Sequence, residues 1–548
     1  MSDRPHVLIV GASGLFGTRV VRLLANRRTL RISLGGRSES RAVTTLQREV
    51  ALLDAMGGFG FVPIDRDAVT AGQLSGIDVV VDCAGPFQNS RTVLIEACIA
   101  AGVHYVDIAD GRGWVEDTRR FDAAAKAAGV AVITGASTTP ALTHAVVAAL
   151  TAGWTAIDTI DVAVVPGNRT PKGRSVIAAI LSWVGQPVTV FREGRWQKAR
   201  GWTGLRWVAL DGAGRRRASL SEVPDLDALP RAFAPRVRSQ FDAGMELGVL
   251  HWLIWLSGLA VRMRVARSAT AFSGVGHWVA MQLDRYGTDR GGMVVDVTGA
   301  DASGEGRMGR WSLLATDGDG PYVPVLAAAA ITEMLVSKPV DAGARSAAGI
   351  VALPAMLEWI GERHITTSQL AGREVPLFRR VMEERFDRMP AVTQRLHRGR
   401  PAIVAKGEAA VSGSPGALGG VIARLFGFPT REGSVPIEVV IEARDGCEYW
   451  TRYFGGTAMR STMRKGAAGL IEESFFLFTG AMRLEERTDG LDMVLVAGRL
   501  GRVPIPRMLL PRIRATERVD AEGRHVFDVE IGLPVLGRLV AYNGWLAV

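Results

Sequence analysis

At 548 residues the chain is longer than one hydrophobic core organises, so two or three domains are expected. Apolar residues make up 48% of it and charged residues 22%, which excludes a disordered or fibrous protein. The net charge of +10 rests on arginine, with only six lysines, and no dense basic run interleaved with aromatics occurs; this argues against a nucleic-acid surface, while leaving a weak attraction to anionic membranes or phosphorylated ligands.

Met1-Ser2-Asp3-Arg4-Pro5 leads into the first apolar run without a secretory signal. The three cysteines, Cys83, Cys98 and Cys447, are odd in number and lack metal-ligand spacing. The reducing cytoplasm is the expected compartment, and no metal is expected: no H-E-x-x-H or C-x-x-C occurs, and His144 and His251 lack partners at ligand spacing.

His6–Val10 reads as a buried strand, and Gly11-Ala12-Ser13-Gly14-Leu15-Phe16-Gly17 as the turn into an amphipathic helix over Thr18–Leu24. Gly11 permits the tight turn, Gly14 lets a pyrophosphate approach the backbone, and Gly17 lets the helix pack on its strand. The helix N-terminus offers free N–H groups to phosphate. A second strand, Leu30–Gly36, ends at Arg37, where an NAD site would place Asp or Glu. Arg37, with Ser38 and Arg41, suits a 2′-phosphate instead, so NADP is expected over NAD.

Further strands are expected at Phe59–Asp65, Asp78–Cys83, His104–Asp107 and Val130–Thr134, with helices near Arg91–Ala101 and Val115–Ala128. This alternation describes an α/β, doubly wound Rossmann domain over residues 1–135, whose ligands bind outside the carboxyl ends of the strands. On that rim lie Asp65, facing an adenine edge or capping the next helix, and the Ala84-Gly85-Pro86-Phe87 turn. Tyr105, Asp107 and Asp110 are the candidate catalytic groups, with His104 beside them, because two carboxylates in a closed site can separate their pKa values into an acid and a base. Asp110 before Gly111 could instead cap a turn.

Together Gly11–Gly17, Val80–Phe87 (VVDCAGPF), Ala97–Asp110 (ACIAAGVHYVDIAD) and Gly135–Thr143 (GASTTPALT) resemble the saccharopine dehydrogenase-like reductase family, over about residues 1–365. Trp311–Ala315, Gly320-Pro321 and Ala327–Leu335 resemble its closing strand and returning helix. The resemblance implies a Gly-Pro-Phe turn beside the nicotinamide and an active cleft lined by the segment around His104–Asp107. Where that family often carries Tyr-Gly after the Gly-Pro-Phe turn, this chain has Gln88-Asn89-Ser90-Arg91. No Tyr-x-x-x-Lys pair occurs, since Tyr105 and Tyr286 are followed four residues on by Ala109 and Arg290.

Residues 136–365 are expected to form a mixed α+β substrate domain, with strands at Ile157–Val165 and Gly292–Thr298 and helices at Ser175–Val184 and Pro235–Asp242. Leu247–Val261 (LGVLHWLIWLSGLAV) holds fifteen uncharged residues followed by Arg262, Arg264 and Arg267. It is too short to span a bilayer. Burial in the core or in a homodimer contact is the preferred reading; the alternative is an interfacial anchor, for which Trp252, Trp255 and the basic flank are suited. That anchor would hold the protein at the inner face of the membrane.

A Thr/Ser/Gly/Arg linker over Thr366–Arg373 precedes a β-rich α+β domain, 374–548, opening with a helix at Leu377–Phe386. It resembles a bacterial domain of unknown function fused to such reductases, on Trp450–Phe454 and Tyr542-Asn543-Gly544-Trp545. An antiparallel sheet with a helix gripping a hydrophobic pocket is expected there. The whole reads as an NADP-dependent oxidoreductase acting on a small-molecule or lipid-like substrate, the alternatives being a non-catalytic NADP sensor or a membrane-surface lipid handler.

Overall fold

The computed structural model describes residues 4–547 apart from 26, 28, 56–58, 89, 172–176, 178, 179, 264–267, 374, 398–401, 431, 445 and 535. The chain divides into two compact units. One comprises Met1–Ala152, Ile160–Val297 and Gly309–Leu370, the other Gly153–Thr159, Thr298–Met308 and Ala371–Val548.

The first unit opens with β1 (His6–Val10), α1 (Gly17–Leu24), β2 (Arg31–Gly36), β3 (Phe59–Pro63), β4 (Val79–Asp82), β5 (His104–Asp107) and β6 (Ala131–Thr134). These strands form a parallel sheet in the order 3-2-1-4-5-6 counted from β3, closed at its far edge by Gly343–Ser346 beside β6. β1 and β4 are buried along their whole length because helices cover both faces of a parallel sheet, which is why both read as continuous apolar runs. The strand order reverses between β1 and β4, and the register there pairs Val10 with both Gly35 and Asp82, and Asp82 with Asp107. The carboxyl ends of β2, β1, β4 and β5 thus share one rim at the topological switch point. The returning helix is Leu326–Ser337, mostly buried. It lies within Gly320–Ser337, a run long and apolar enough to span a membrane but 61% buried within the protein.

The middle of the chain builds a nine-stranded sheet around Trp154–Val165 and Gly291–Asp301. Two expectations fail here. Pro235–Asp242 is not helical: the helix is Asp225–Phe233, ended by Ala234 in the left-handed region and by Pro235, and the chain continues as the strand Arg238–Met245. The polar residues that disguised that strand are buried and paired, Arg238 on Asp161 and Gln240 on Asp242. The proposed linker Thr366–Arg373 is instead an edge strand, Ile365–Arg373, exposed along all but its first residue; a solvated edge needs no apolar alternation. Of the expected helix Ser175–Val184, residues 175, 176, 178 and 179 lie outside the described residues, as do Arg264, Arg267 and Asn89.

In the second unit ten strands, from Ala402–Ser412 to Gly537–Ala547, each pair antiparallel with the next, and the last returns to the first with Lys406 opposite Ala547 and Ser412 opposite Ala541. These ten strands close into an up-and-down barrel, and the two-residue strand Val503–Pro504 pairs outside the ring with Arg499 and Leu500. The helix Leu377–Met382 buries Leu377, Phe378, Val381 and Met382 in the barrel's core, so the helix fills the interior, leaving a cavity of about 70 Å³ lined in part by Trp450, Met463 and Tyr542. The expected antiparallel sheet with a helix at a hydrophobic pocket is present, and its closure into a barrel that the helix largely fills is what the sequence did not show.

Candidate cofactor and substrate site

The glycine turn is built for close approach. Gly11 has φ +76° and bonds Gly35 O through its N–H, and a Cβ there would meet the Ala84 backbone at 3.0 Å. A Cβ on Gly17 would stand 2.2 Å from Gly11 O, so α1 packs against the turn only without a side chain. Gly14 closes the turn with its N–H on Gly11 O at 2.9 Å. Ala12 is buried beneath the turn, while Ser13 and Gly14 lie toward its surface with Leu15 and Phe16 beyond them. No acidic residue stands in the first turn of α1 and no side chain caps it, so the positive end of the helix faces the rim. This cradle, with glycine at its three closest backbone positions, fits the pyrophosphate of a dinucleotide.

At the end of β2, Arg37, Ser38 and Arg41 are exposed, and among the described residues no carboxylate pairs with either guanidinium. The Ser38 hydroxyl accepts the Arg41 N–H, capping the next helix and fixing the loop. Asp65 uses Oδ1 to accept the Asp67 N–H at 3.0 Å, which makes it a turn-capping group on the rim.

Beneath the rim runs a network that the sequence reading half anticipated. Asp82 ends β4 fully buried; its Oδ1 accepts the Ala84 N–H at 3.0 Å, and Oδ2 accepts from Arg66 Nε at 2.6 Å and the Tyr105 hydroxyl at 3.0 Å. The Ala84-Gly85-Pro86 turn is therefore held by the strand end below it. Arg66 lies against the rings of Phe87 and Trp114, 5.3 and 5.2 Å from their centroids. Asp107, also fully buried, accepts from Trp114 Nε1, Thr134 Oγ1 and the backbone N–H groups of Ala109 and Gly135, all within 3.0 Å. Burial raises its pKa despite these donors, and burial pushes the Tyr105 phenol well above its ordinary value.

Tyr105 and Asp107 are thus placed inward, with Asp110 apart from them. The expectation that Asp107 and Asp110 face the cleft together gives way, because the Asp107 carboxylate is taken up inside by Trp114, Thr134, Ala109 and Gly135, whereas Asp110 lies past the end of β5 beside Gln88. His104 accepts the Ala131 N–H through Nδ1 and is structural. Cys83 is a buried packing residue whose thiol burial pushes up. Asp82 and Arg66 went unread in the sequence: VVVDC reads as a plain buried strand, and Arg66 lies sixteen residues away in a loop.

Two cavities adjoin the rim. The polar one, about 430 Å³, is lined by Gln88, Ser90, Asp110, Arg112, Trp202 and Glu222 among others. Asp110 accepts from Gln88 Nε2 at 3.2 Å; water reaches its carboxylate, yet the protein mass around it raises its pKa. Arg112 is held by Asp227 and Glu222, with Nη2 donating to Asp227 at 2.7 Å and Nη1 to Glu222 at 3.2 Å. The second cavity is larger, about 590 Å³, and almost wholly apolar. It starts at Leu15 and Phe16 of the glycine turn and Thr138 past β6, and extends under the helices Gly248–Arg262 and Ser273–Leu283. Ile180 lines both cavities.

Residues 7–133 match the family model of the saccharopine dehydrogenase NADP binding domain, and residues 389–546 match a domain of unknown function, DUF4166. The N-terminal domain is an oxidoreductase-type nicotinamide dinucleotide-binding domain. No curated protein matches the chain. Among solved structures, saccharopine dehydrogenase (L-Glu forming) from Saccharomyces cerevisiae is similar at 10% identity and TM-score 0.47, over 67% of this chain and all of that one. GenD2 from gentamicin A biosynthesis, solved with NAD, is 16% identical with TM-score 0.25 over 45% of this chain and 66% of its own. YvaA from Bacillus subtilis is 14% identical with TM-score 0.26, covering 45% of this chain and 65% of its own.

Proposed function

We propose, with the nucleotide-binding domain as premise, that the protein is an NADP-dependent oxidoreductase that transfers hydride to or from a lipid-like substrate. The observation that carries this reading is the 590 Å³ apolar chamber that starts at the glycine turn. A chamber of that size and lining suits a hydrocarbon chain far better than an amino acid, whose charged groups would lose hydration there without compensation. The polar cavity across Ile180 supplies the complementary half: room for the head of such a substrate, with Asp110 and Arg112 on its wall.

The residues have separate tasks. Gly11, Gly14 and the N-terminus of α1 would hold the pyrophosphate, and Arg37 with Ser38 and Arg41 the 2′-phosphate. Bound there, a nicotinamide supplies or takes up hydride. Asp82 fixes the Ala84–Pro86 turn, and Asp107 fixes Trp114 and Gly135 around it. Asp110, with its pKa raised, holds a proton for exchange with the substrate's polar end. Arg112 positions the opposite wall through Asp227 and Glu222.

The test is oxidation of NADPH and of NADH by the purified protein with carbonyl and alkene substrates of increasing chain length. Turnover with NADPH that improves with chain length is expected. A cofactor sensor is the second reading, favoured by the inward orientation of Tyr105 and Asp107; tight NADPH binding with no turnover across the panel would establish it.

A further inference from the structure

The helix Gly248–Arg262 buries only Leu250, His251 and Ile254, so the expectation of burial in the core gives way to a helix on the surface of the chain. Its outward residues are apolar: Trp252 is 48% exposed, Trp255 43% and Leu256 51%. The helix Ser273–Leu283 repeats the pattern at i, i+3 and i+6, with Val275 65%, Trp278 63% and Met281 51% exposed. Two neighbouring helices thus present an outer face of exposed large apolar side chains, the kind of surface that marks an interaction site.

Two further observations say what covers this face. From Leu247 to Leu283 the sequence contains Arg262, Arg264 and Arg267 and no acidic residue, and Arg217 stands over the rings of Trp207 and Trp252 at 5.0 and 5.7 Å. A protein partner's apolar patch needs no such one-sided charge; an anionic headgroup layer does. In addition, Leu253, Leu256, Phe272 and Val275 are exposed on this face and also line the 590 Å³ chamber. The chamber therefore opens within the face itself.

We propose that the helices Gly248–Arg262 and Ser273–Leu283 dock on an anionic bilayer, and that the chain of a lipid substrate passes from the bilayer into the chamber between them. The tryptophans would sit at the headgroup level and Arg262 on the phosphates. Entry from the membrane spares an apolar chain the transfer through water. The second half of the proposal rests on the lipid-substrate reading above; the docking itself does not.

The experiment is flotation of the full-length protein with vesicles of phosphatidylcholine alone or with a third phosphatidylglycerol, at low and high salt. Wild type is compared with Trp252→Ser/Trp255→Ser/Trp278→Ser and, separately, with Arg262→Glu. The expected result is flotation with the anionic vesicles, reduced about tenfold or more in the triple variant and weakened by salt and by Arg262→Glu. NADPH affinity is measured on the same samples and is expected to be unchanged, which shows that the variants fold. No flotation of wild type, or equal flotation of the triple variant, overturns the docking. A homodimer that the triple variant dissociates, with no vesicle binding, also overturns it and makes the face a contact between copies. Flotation as expected without turnover of any lipid would leave the docking standing and overturn the substrate reading alone.

Discussion

Arg66 and Asp82 form a buried ion pair, Nε to Oδ2 at 2.6 Å, directly below the turn that leaves β4. The same carboxylate holds the Ala84 N–H, and Ala84 packs on Gly11. One buried charge pair thus ties the stability of the sheet to the shape of the nucleotide cradle.

Arg66→Met would leave the Asp82 carboxylate buried without its cation, at a cost of about 3–5 kcal/mol. Denaturant unfolding followed by far-UV circular dichroism should show this loss. Nucleotide affinity should fall with it, because the Asp82 carboxylate that anchors the Ala84 turn loses the partner that fixes it; unchanged NADPH binding in the folded variant would separate the pair from the cradle.

Arg37→Asp is expected to remove the preference for NADPH. Wild type should bind NADPH at least tenfold more tightly than NADH, a difference of about 1.4 kcal/mol, and the variant should lose or invert it. Fluorescence titration with both nucleotides reads this directly.

Gly17→Ala places a methyl 2.2 Å from Gly11 O and 2.9 Å from Ala12 Cα, so the turn must open. Gly14→Ala meets only Gly11 O at 3.1 Å. The first substitution should abolish nucleotide binding, whereas the second should weaken it without unfolding the domain, as isothermal titration with NADPH would show.

Asp110→Asn tests the proton carrier. The protein mass around Asp110 raises its pKa although water reaches the carboxylate, so its protonated form persists above the ordinary carboxylate range and is lost as pH rises through the raised value. If that proton is delivered in reduction, kcat should fall along the same limb in wild type. In the variant kcat should be about 10²-fold lower and the limb absent, with KM little changed.

The barrel carries an acid-sensitive cluster: Glu517 is fully enclosed, with His397 Nε2 at 2.6 Å and His525 Nε2 at 3.7 Å. Burial opposes its ionisation, but the two imidazoles outweigh it and hold the carboxyl down to about 2. A depressed carboxyl contributes stability above its ordinary value of 4.5, lost as pH falls toward 2. Burial lowers the His525 pKa, so the unfolded chain takes up that proton more readily, and stability already declines below pH 6.5. The barrel's melting temperature should therefore fall on acidification in two stages, and Glu517→Gln should remove the second.

The sequence alone determined the nucleotide-binding domain, because its signals are local. A strand, a glycine turn and a helix lie within twenty residues, and the requirement for glycine follows at 11 from its positive φ and at 17 from contacts inside that span. The alternating elements through Thr134 were legible for the same reason, since period and turn chemistry are carried by neighbours in the chain. What only the tertiary structure decided were relationships across long separations. Asp107 and Asp110, three residues apart, part company because one turns into the sheet and the other into a cavity. Arg66 meets Asp82 through a loop, and Arg238, Gln240 and Asp242 look like a solvated segment until partners on other strands bury them. The closed barrel follows from pairing Ala402–Ser412 with Gly537–Ala547, more than a hundred residues away, a contact no local pattern records. The apolar run at Leu247 was visible as apolar but not as outward-facing, because burial depends on what packs against a helix and not on its own composition.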